Sequence, residues 1–273
     1  MNRLSAMRRA FAFVLAFLPL AAPTLAAQTA PARQKLTAAE VLQKVAEAGT
    51  GIADLRNTDL SGIDLHGQKL ETADLRGATL DGANLQGANL FSADLTDATL
   101  RGADLTDANL DGSTLRRADL SKAILLRASL FAVIAEKASF ADADLRKTRI
   151  IGYFRAANLV GADLREANIG ADPGNQSMGV MRTSFESAQL GRAQFGGANL
   201  YKADFNFAEA GDAVFTGANL STTVLRGTNF TGADFTGADL TFADFDGAVL
   251  TNARGISGAK GIDSAKNRDK ATP

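Results

Sequence analysis

The sequence has no cysteine, no tryptophan, one histidine and two tyrosines in 273 residues. Without cysteine there are no disulfides, thiolate metal sites, cysteine nucleophiles or lipid-anchored cysteines. A single histidine removes histidine-rich metal sites and most histidine-based triads. Charge of one sign is missing too: the formal net charge is −1, which argues against a generally basic nucleic-acid binder. What is present is apolar material, at 46% of residues, against 22% charged. Such a chain can bury a core and is not compositionally disordered. Its length allows one large domain or two small ones.

The first residues read as an address. Arg3, Arg8 and Arg9 precede an apolar run from Ala10 to Ala22, and Pro23-Thr24-Leu25-Ala26-Ala27 follows. This charged, apolar, small-residue order predicts a secretory signal peptide over 1–27, cleaved after Ala26 or Ala27. The run is shorter than the roughly 20 residues that a spanning helix needs. The alternative is an uncleaved anchor. Arg8-Arg9-Ala10-Phe11 weakly resembles a twin-arginine signal, from which Met7 and Ala12 depart, so the export route stays open between the two pathways. The expected location is periplasmic or secreted, with no integral membrane segment in the mature chain.

Residues 28–35 read as a linker, and 36–52 as a capping helix and entry. Thr37 and Glu40 have capping-box spacing, Leu36 and Val41 are placed for a hydrophobic staple, and Gly49 suits the stop, so a helix is predicted at 38–48.

From Ala53 to Thr251 the period is five, which is neither 3.6 nor 2. Large apolar centres fall at Leu55, Leu60 and every fifth residue to Ile150, then at Phe154, Leu159, Leu164 and Ile169. They resume at Phe185 and continue to Leu250, giving 38 pentads. Alanine stands two residues before the centre in 28 of them, and glycine two residues after it in 15, so the unit reads A-[DN]-L-x-G. In extended chain, residues two apart share a side. Alanine and centre therefore face inward, the Asp or Asn between them faces out, and the last two residues turn the chain. One pentad is an edge plus a corner and cannot bury its centre alone, whereas stacked pentads can.

Runs such as Ala83-Asn84-Leu85-Gln86-Gly87 and Ala103-Asp104-Leu105-Thr106-Asp107 resemble the pentapeptide-repeat family over residues 53–251. The resemblance implies an all-β solenoid, a right-handed quadrilateral β-helix with four pentads per coil. Residues twenty apart then stack. Phe185, Phe205 and Phe245 share one column, and Phe195, Phe215 and Phe235 the opposite one, as expected of a hydrophobic core. Residues 252–273 are expected to form a C-terminal cap, with Ile256 and Ile262 closing the last coil. Ser264 is expected to cap a short basic helix over 265–271 before a frayed end.

Two breaks interrupt the count. Ile150 to Phe154 is one residue short, which predicts a kink near 151–153. Ile169 to Phe185 is sixteen residues, which predicts a projecting loop within 170–182. Asp172-Pro173-Gly174 supplies its turn, and Met178 and Met181 complete the candidate binding loop.

Charge is banded along the repeat, acidic over 53–115, basic over 116–155 and acidic again over 156–251. Fourteen of the repeat's 26 acids sit just before a centre, so much of the acid belongs to the repeat itself. The basic band offers Arg116, Arg117, Arg127, Arg146, Lys147, Arg149 and Arg155, with Ile124, Leu126, Phe131, Ile134 and Ile151 at outward positions. Exposed apolar groups rimmed by arginine suit a protein or membrane-surface contact. Asp107 is expected to pair with Arg127, and Asp97 with Arg117. His66 is expected on the surface.

No nucleophile, base or pocket stands out, so no catalytic residue, cofactor or metal is expected. The leading reading is an exported non-catalytic scaffold with a protein partner in the cell envelope. Envelope or membrane-surface association is a related reading. Some members of the resembled family mimic DNA with an acidic rod and bind DNA gyrase, which makes that a further alternative. The basic band and the export signal count against it, and no nucleic-acid partner is expected.

Overall fold

The computed structural model describes residues 33–171 and 181–273. The expected signal peptide and the loop residues Asp172, Pro173, Gly174 and Met178 lie outside this range. Helix α1 spans Ala38–Ala48, with the Thr37 hydroxyl accepting from the Glu40 N–H and the Glu40 carboxylate accepting from the Thr37 N–H. Leu36 and Val41 are both buried, and Gly49 ends the helix in the left-handed region. Residues 34–36, read from the sequence as linker and helix entry, instead form a rung. Gln34 and Leu36 pair through their backbones with Asp59, adding a strand segment to the exposed edge of the first coil.

Beyond the helix the chain winds into a four-sided β-helix. Outward residues bridge to residues twenty further on, as in Asp54 to Asp74, Asp59 to Thr79, Asp64 to Asn84 and Lys69 to Asn89. We number the faces from these four rungs, so that centres Leu55, Leu60, Leu65 and Leu70 begin faces one to four. Faces one and three lie on opposite sides of the core. All the ladders are parallel, and every centre except the last, Leu250, is buried. Each buried Leu or Phe is worth about 1.5–3 kcal/mol.

The consensus follows from accounting for the five backbone N–H groups of a pentad. In Ala88–Ser92, Ala88 donates across the turn to Leu85 O (3.0 Å). Asn89 and Leu90 donate to the coils on either side (2.9 and 2.7 Å), and Ser92 to Asp111 O (2.9 Å). The fifth, on Phe91, has no backbone acceptor and donates to Oδ1 of Asn89 (3.1 Å). The Asp or Asn before each centre thus closes an Asx turn and satisfies an orphan donor. Away from the two breaks the second corner residue takes positive φ, as in Gly87 (61°) and Asp107 (58°), which accounts for the glycine preference there.

The centres form ladders. Phe195, Phe215 and Phe235 stack with centroids 5.0 and 5.1 Å apart, and Phe185 and Phe205 stand 5.1 Å apart on the opposite face. Phe205 meets Phe195 and Phe215 edge-on across the core. Leu225 interrupts the Phe205–Phe245 column.

The short step near 151–153 is a bulge. Strands β1 (Ser129–Ile134) and β2 (Arg149–Tyr153) pair with Phe131 opposite Ile151, then Val133 opposite Gly152. The counterpart of the left-handed Ala132 is missing, so the corner flattens and Gly152 occupies an inward position. Ile151 keeps its place opposite Phe131 but is only 3% exposed, and is therefore corrected from an exposed contact to a buried residue.

Coil spacing widens to 31 residues across the second break, as in Tyr153 to Ser184 and Asn168 to Asn199, so the extra chain enters at a single corner. Its flanks are anchored. Ala171 N–H donates to Tyr201 O (2.9 Å), and the Thr183 hydroxyl lies 3.0 Å from the carbonyl oxygens of both Ile150 and Ile169.

At the C-terminus the expected helix over 265–271 is absent. The period changes to six: Arg254, Lys260, Lys266 and Thr272 bridge to Asp234, Asp239, Asp244 and Val249. Inward Ala253, Ala259, Ala265 and Ala271 share that spacing, and the added residue makes a 3-10 turn at Ile256–Gly258, Ile262–Ser264 and Arg268–Lys270. Backbone pairing of Lys266 to Ala243 and left-handed Asn267 preclude a continuous helix there. Nor does the end fray, since Leu250 N–H donates to Thr272 O (2.6 Å).

Candidate interaction surface

The sequence band 116–155 does not form one patch, because winding divides it between opposite sides. Ile124 lies on face three, with Leu126, Arg127, Arg146 and Lys147 on the corner that follows. Ile124 is 39% exposed and Leu126 half-buried. The cations of this corner are engaged. Arg127 binds Asp107 (2.7 Å from Nε), Arg146 binds Asp144 (2.8 Å) and approaches Asp163 (3.7 Å), and Lys147 reaches Glu166 (3.6 Å). Hydrogen bonds from Arg127 and Arg146 hold the Asp107 and Asp144 carboxyls below the usual carboxylate range, with burial opposing. Exposed pairs of this kind add little to stability, because water screens them.

Face one is built differently. Its outward column runs Asp54, Asp74, Asp94 and Thr114, then turns apolar at Ile134 and Tyr153 before Ser184 and Asp204. In the first coils this column is an ion ladder: Arg56 contacts Asp54 and Asp74, and Arg76 contacts Asp74 and Asp94. At Ile134 and Tyr153 the ladder is replaced by a half-buried isoleucine and a tyrosine that is 55% exposed. On the face-four side lie Phe131 and Ile151, with Arg149 on face four and its guanidinium 4.2 Å from the Phe131 ring centroid.

The other flank of face one is the corner carrying Arg116 and Arg117, Glu136 and Lys137, Arg155 and Ala156, and Ser187. These residues line a cleft of about 350 Å³. Small side chains at Ala156 and Ser187 leave a notch above Lys137. Arg117 is held by Asp97 (2.6 Å), whose carboxyl that contact lowers, and Arg116 by Glu136 (3.2 Å). Lys137 and Arg155 make no ion pair among the described residues. One coil above Ser187 on the same corner, Phe207 is 63% exposed and takes φ of 57°.

The structure therefore brings Arg116, Arg117, Phe131, Ile134, Arg149 and Arg155 around face one, and sets Ile124, Leu126, Arg127, Arg146 and Lys147 on the far side. Met181, the described member of the candidate loop, is half-buried. Sequence reasoning missed Lys137, Tyr153 and Ser187. The signal was the twenty-residue column once the short step is allowed for, which puts Tyr153 above Ile134 and Arg155 above Glu136. Among the described residues, no helix is long and apolar enough to cross a membrane, and no group of three or more His, Asp or Glu could hold a metal ion. His66 is exposed, with its N–H on Asp64 (3.2 Å).

A parallel four-sided coil of five-residue turns with a filled core defines a repeat solenoid of the β-helix class. The family model for pentapeptide repeats matches in eight copies, over residues 53–87, 88–125, 181–217 and 213–252, and the chain belongs to the pentapeptide repeat family. Its fold is the right-handed quadrilateral β-helix, and the family is generally non-catalytic. Three solved structures illustrate the likeness. HetL, a pentapeptide repeat protein involved in heterocyst differentiation regulation from the cyanobacterium Nostoc sp. strain PCC 7120, is 27% identical. The match covers 87% of this chain and 94% of HetL, with a TM-score of 0.43. QnrB1, a plasmid-mediated fluoroquinolone resistance protein, is 18% identical over 75% of this chain and 86% of its own, with a TM-score of 0.32. A pentapeptide repeat protein from the Arabidopsis thaliana thylakoid lumen is 27% identical over 46% and 70%, with a TM-score of 0.28. No curated protein matches the chain in sequence.

Proposed function

We propose that this chain is an exported, non-catalytic pentapeptide-repeat scaffold that docks a protein partner of the cell envelope. The docking surface is the stretch of face one around Ile134 and Tyr153. The observation that carries the reading is local replacement of the polar outward column by Ile134 and Tyr153, beside Lys137 and Arg155, which make no ion pair among the described residues. A partner can bury the apolar pair and complement the cations, whereas the mostly satisfied ion ladders elsewhere offer less. The charged, apolar, small-residue order of residues 1–27 supports export.

Two measurements test this. Fractionation of the native host with intact mass is expected to find a chain beginning at Ala27 or Gln28 outside the cytoplasm. A full-length cytoplasmic chain would overturn export and make protection of DNA gyrase the next assay. A photo-crosslinking amino acid at Tyr153 is expected to capture one protein repeatedly, and the same probe at Leu126 to capture none. Equal capture at both positions would overturn the face-one assignment.

A further inference from the structure

We infer that the corner cleft beside face one is a carboxylate-binding site that receives an acidic segment of a protein partner. This inference rests on the face-one docking reading and specifies the chemistry of the partner.

The cleft holds cations on three successive coils, at Arg116 and Arg117, then Lys137, then Arg155, with the Ser187 hydroxyl on the fourth. Successive coils stand about 4.8 Å apart, so these groups converge within the span of a few residues of extended chain. Two of the four cations are committed, Arg117 to Asp97 and Arg116 to Glu136. Lys137 and Arg155 make no ion pair among the described residues, although almost every acid near the other basic corner is used. A carboxylate placed between them would gain two charge-assisted contacts, and Ser187 can donate a third. The notch exists because Ala156 and Ser187 are small where Arg117 and Lys137 stand in the coils below.

The neighbours decide which anion fits. Glu136 lines the cleft, Glu186 sits one coil above Arg155, and Asp97 lies below Arg117. These carboxylates repel a polyphosphate that follows the corner, whereas a single carboxylate placed between Lys137 and Arg155 has only Glu136 as an acidic neighbour among the residues lining the cleft, and Glu136 is already held by Arg116. Ile134 and Tyr153 adjoin the cleft on face one, so the ligand also carries apolar side chains, which an acidic glycan lacks. An acidic peptide with interspersed aromatic or aliphatic residues has both features.

The test uses a fluorescein-labelled random copolymer of glutamate and tyrosine, titrated against the folded protein and followed by anisotropy. Saturable binding is expected, weakened by about tenfold or more in the double variant Lys137→Glu/Arg155→Glu. The matched reversal on the far corner, Arg127→Glu/Lys147→Glu, is expected to bind as the parent does. Circular dichroism checks that both variants are folded. Absence of saturable binding overturns the inference, as does equal weakening by the two reversals, which would mean bulk attraction. Polygalacturonate binding as tightly as the copolymer would assign the cleft to a glycan instead. If the copolymer fails while Tyr153 still crosslinks one protein, the docking reading stands and only its carboxylate chemistry falls.

Discussion

Gly152 faces Val133 so closely that a β-carbon on it would lie 2.3 Å from the Val133 carbonyl oxygen and 2.7 Å from its Cγ1. This is where one corner residue is missing and the strand of the next coil is drawn inward. Backbone lies on the other side of the clash, so relief requires the coils to separate. Gly152→Ala is expected to destabilise the protein by about 2–3 kcal/mol, read as a lower urea midpoint. Gly62→Ala, where φ is 66° but the space is open, is expected to cost only about 1 kcal/mol from the left-handed backbone. Equal losses would mean that the bulge is not closely packed.

Ser113 occupies the inward position that alanine fills in most pentads. It is fully buried, and its hydroxyl has no hydrogen-bond partner. Thr58 and Thr148 at equivalent positions donate to the carbonyl oxygens of Leu55 (2.7 Å) and Leu145 (2.6 Å), so an inward hydroxyl can be satisfied there, but that of Ser113 is not. Ser113→Ala is expected to stabilise the protein by about 1 kcal/mol. Thr148→Ala is expected to be neutral or destabilising. A loss of stability in Ser113→Ala would reveal a partner for that hydroxyl.

Phe215 touches four other rings, stacking on Phe195 and Phe235 and meeting Phe205 and Phe230 edge-on. Phe215→Ala is expected to cost about 3–5 kcal/mol, since coils above and below fix the backbone and the cavity cannot collapse. Nearest-neighbour coupling in a solenoid predicts that the coils around it open first, so hydrogen exchange is expected to accelerate most in residues 195–235. Uniform acceleration along the chain would mean that the coils unfold as one unit.

These sites differ in how far the sequence revealed them. The five-residue period made Phe215 and the buried centres legible, because each inward position repeats with one chemistry. Twenty-residue spacing also made Arg117–Asp97 and Arg127–Asp107 legible. Arg146 was not, because it binds Asp144 two residues earlier within its own rung, a choice made by side-chain reach rather than by stacking. Tyr153 was hidden by the missing corner residue, since the count of fives shows that one residue is lost but not which. Ile151 does pair with Phe131 at the expected twenty-residue spacing, but its burial was not legible from spacing. The C-terminal hexads were missed because the count of fives stops at Leu250 and Ser264 before a short basic run also reads as a helix start, and only backbone pairing to the coil below decides the matter.

The outward carboxylates predict a pH dependence with a definite sign. Asp97 and Asp107 are held below their usual range by arginines of the next coil, and Asp74 by Arg76. Asp59 and Asp234 are lowered by the Asx-turn contacts to Ser61 and Thr236. A depressed carboxyl binds fewer protons when folded than when unfolded, so it stabilises the fold fully above the unfolded value, near pH 4. That contribution is lost as pH falls through the lower folded values. The melting temperature is therefore expected to be flat from about pH 7 to 5 and to fall steeply below about pH 4. The arginine-paired share is screened by salt and the turn-bound share is not. Charge neutralisation in Asp97→Asn and Asp107→Asn removes only the former. The double variant is expected to keep most of the acid-induced loss and to lose part of its salt sensitivity. A melting temperature that rises below pH 4 would overturn the assignment of these carboxylates as ionised, turn-closing groups.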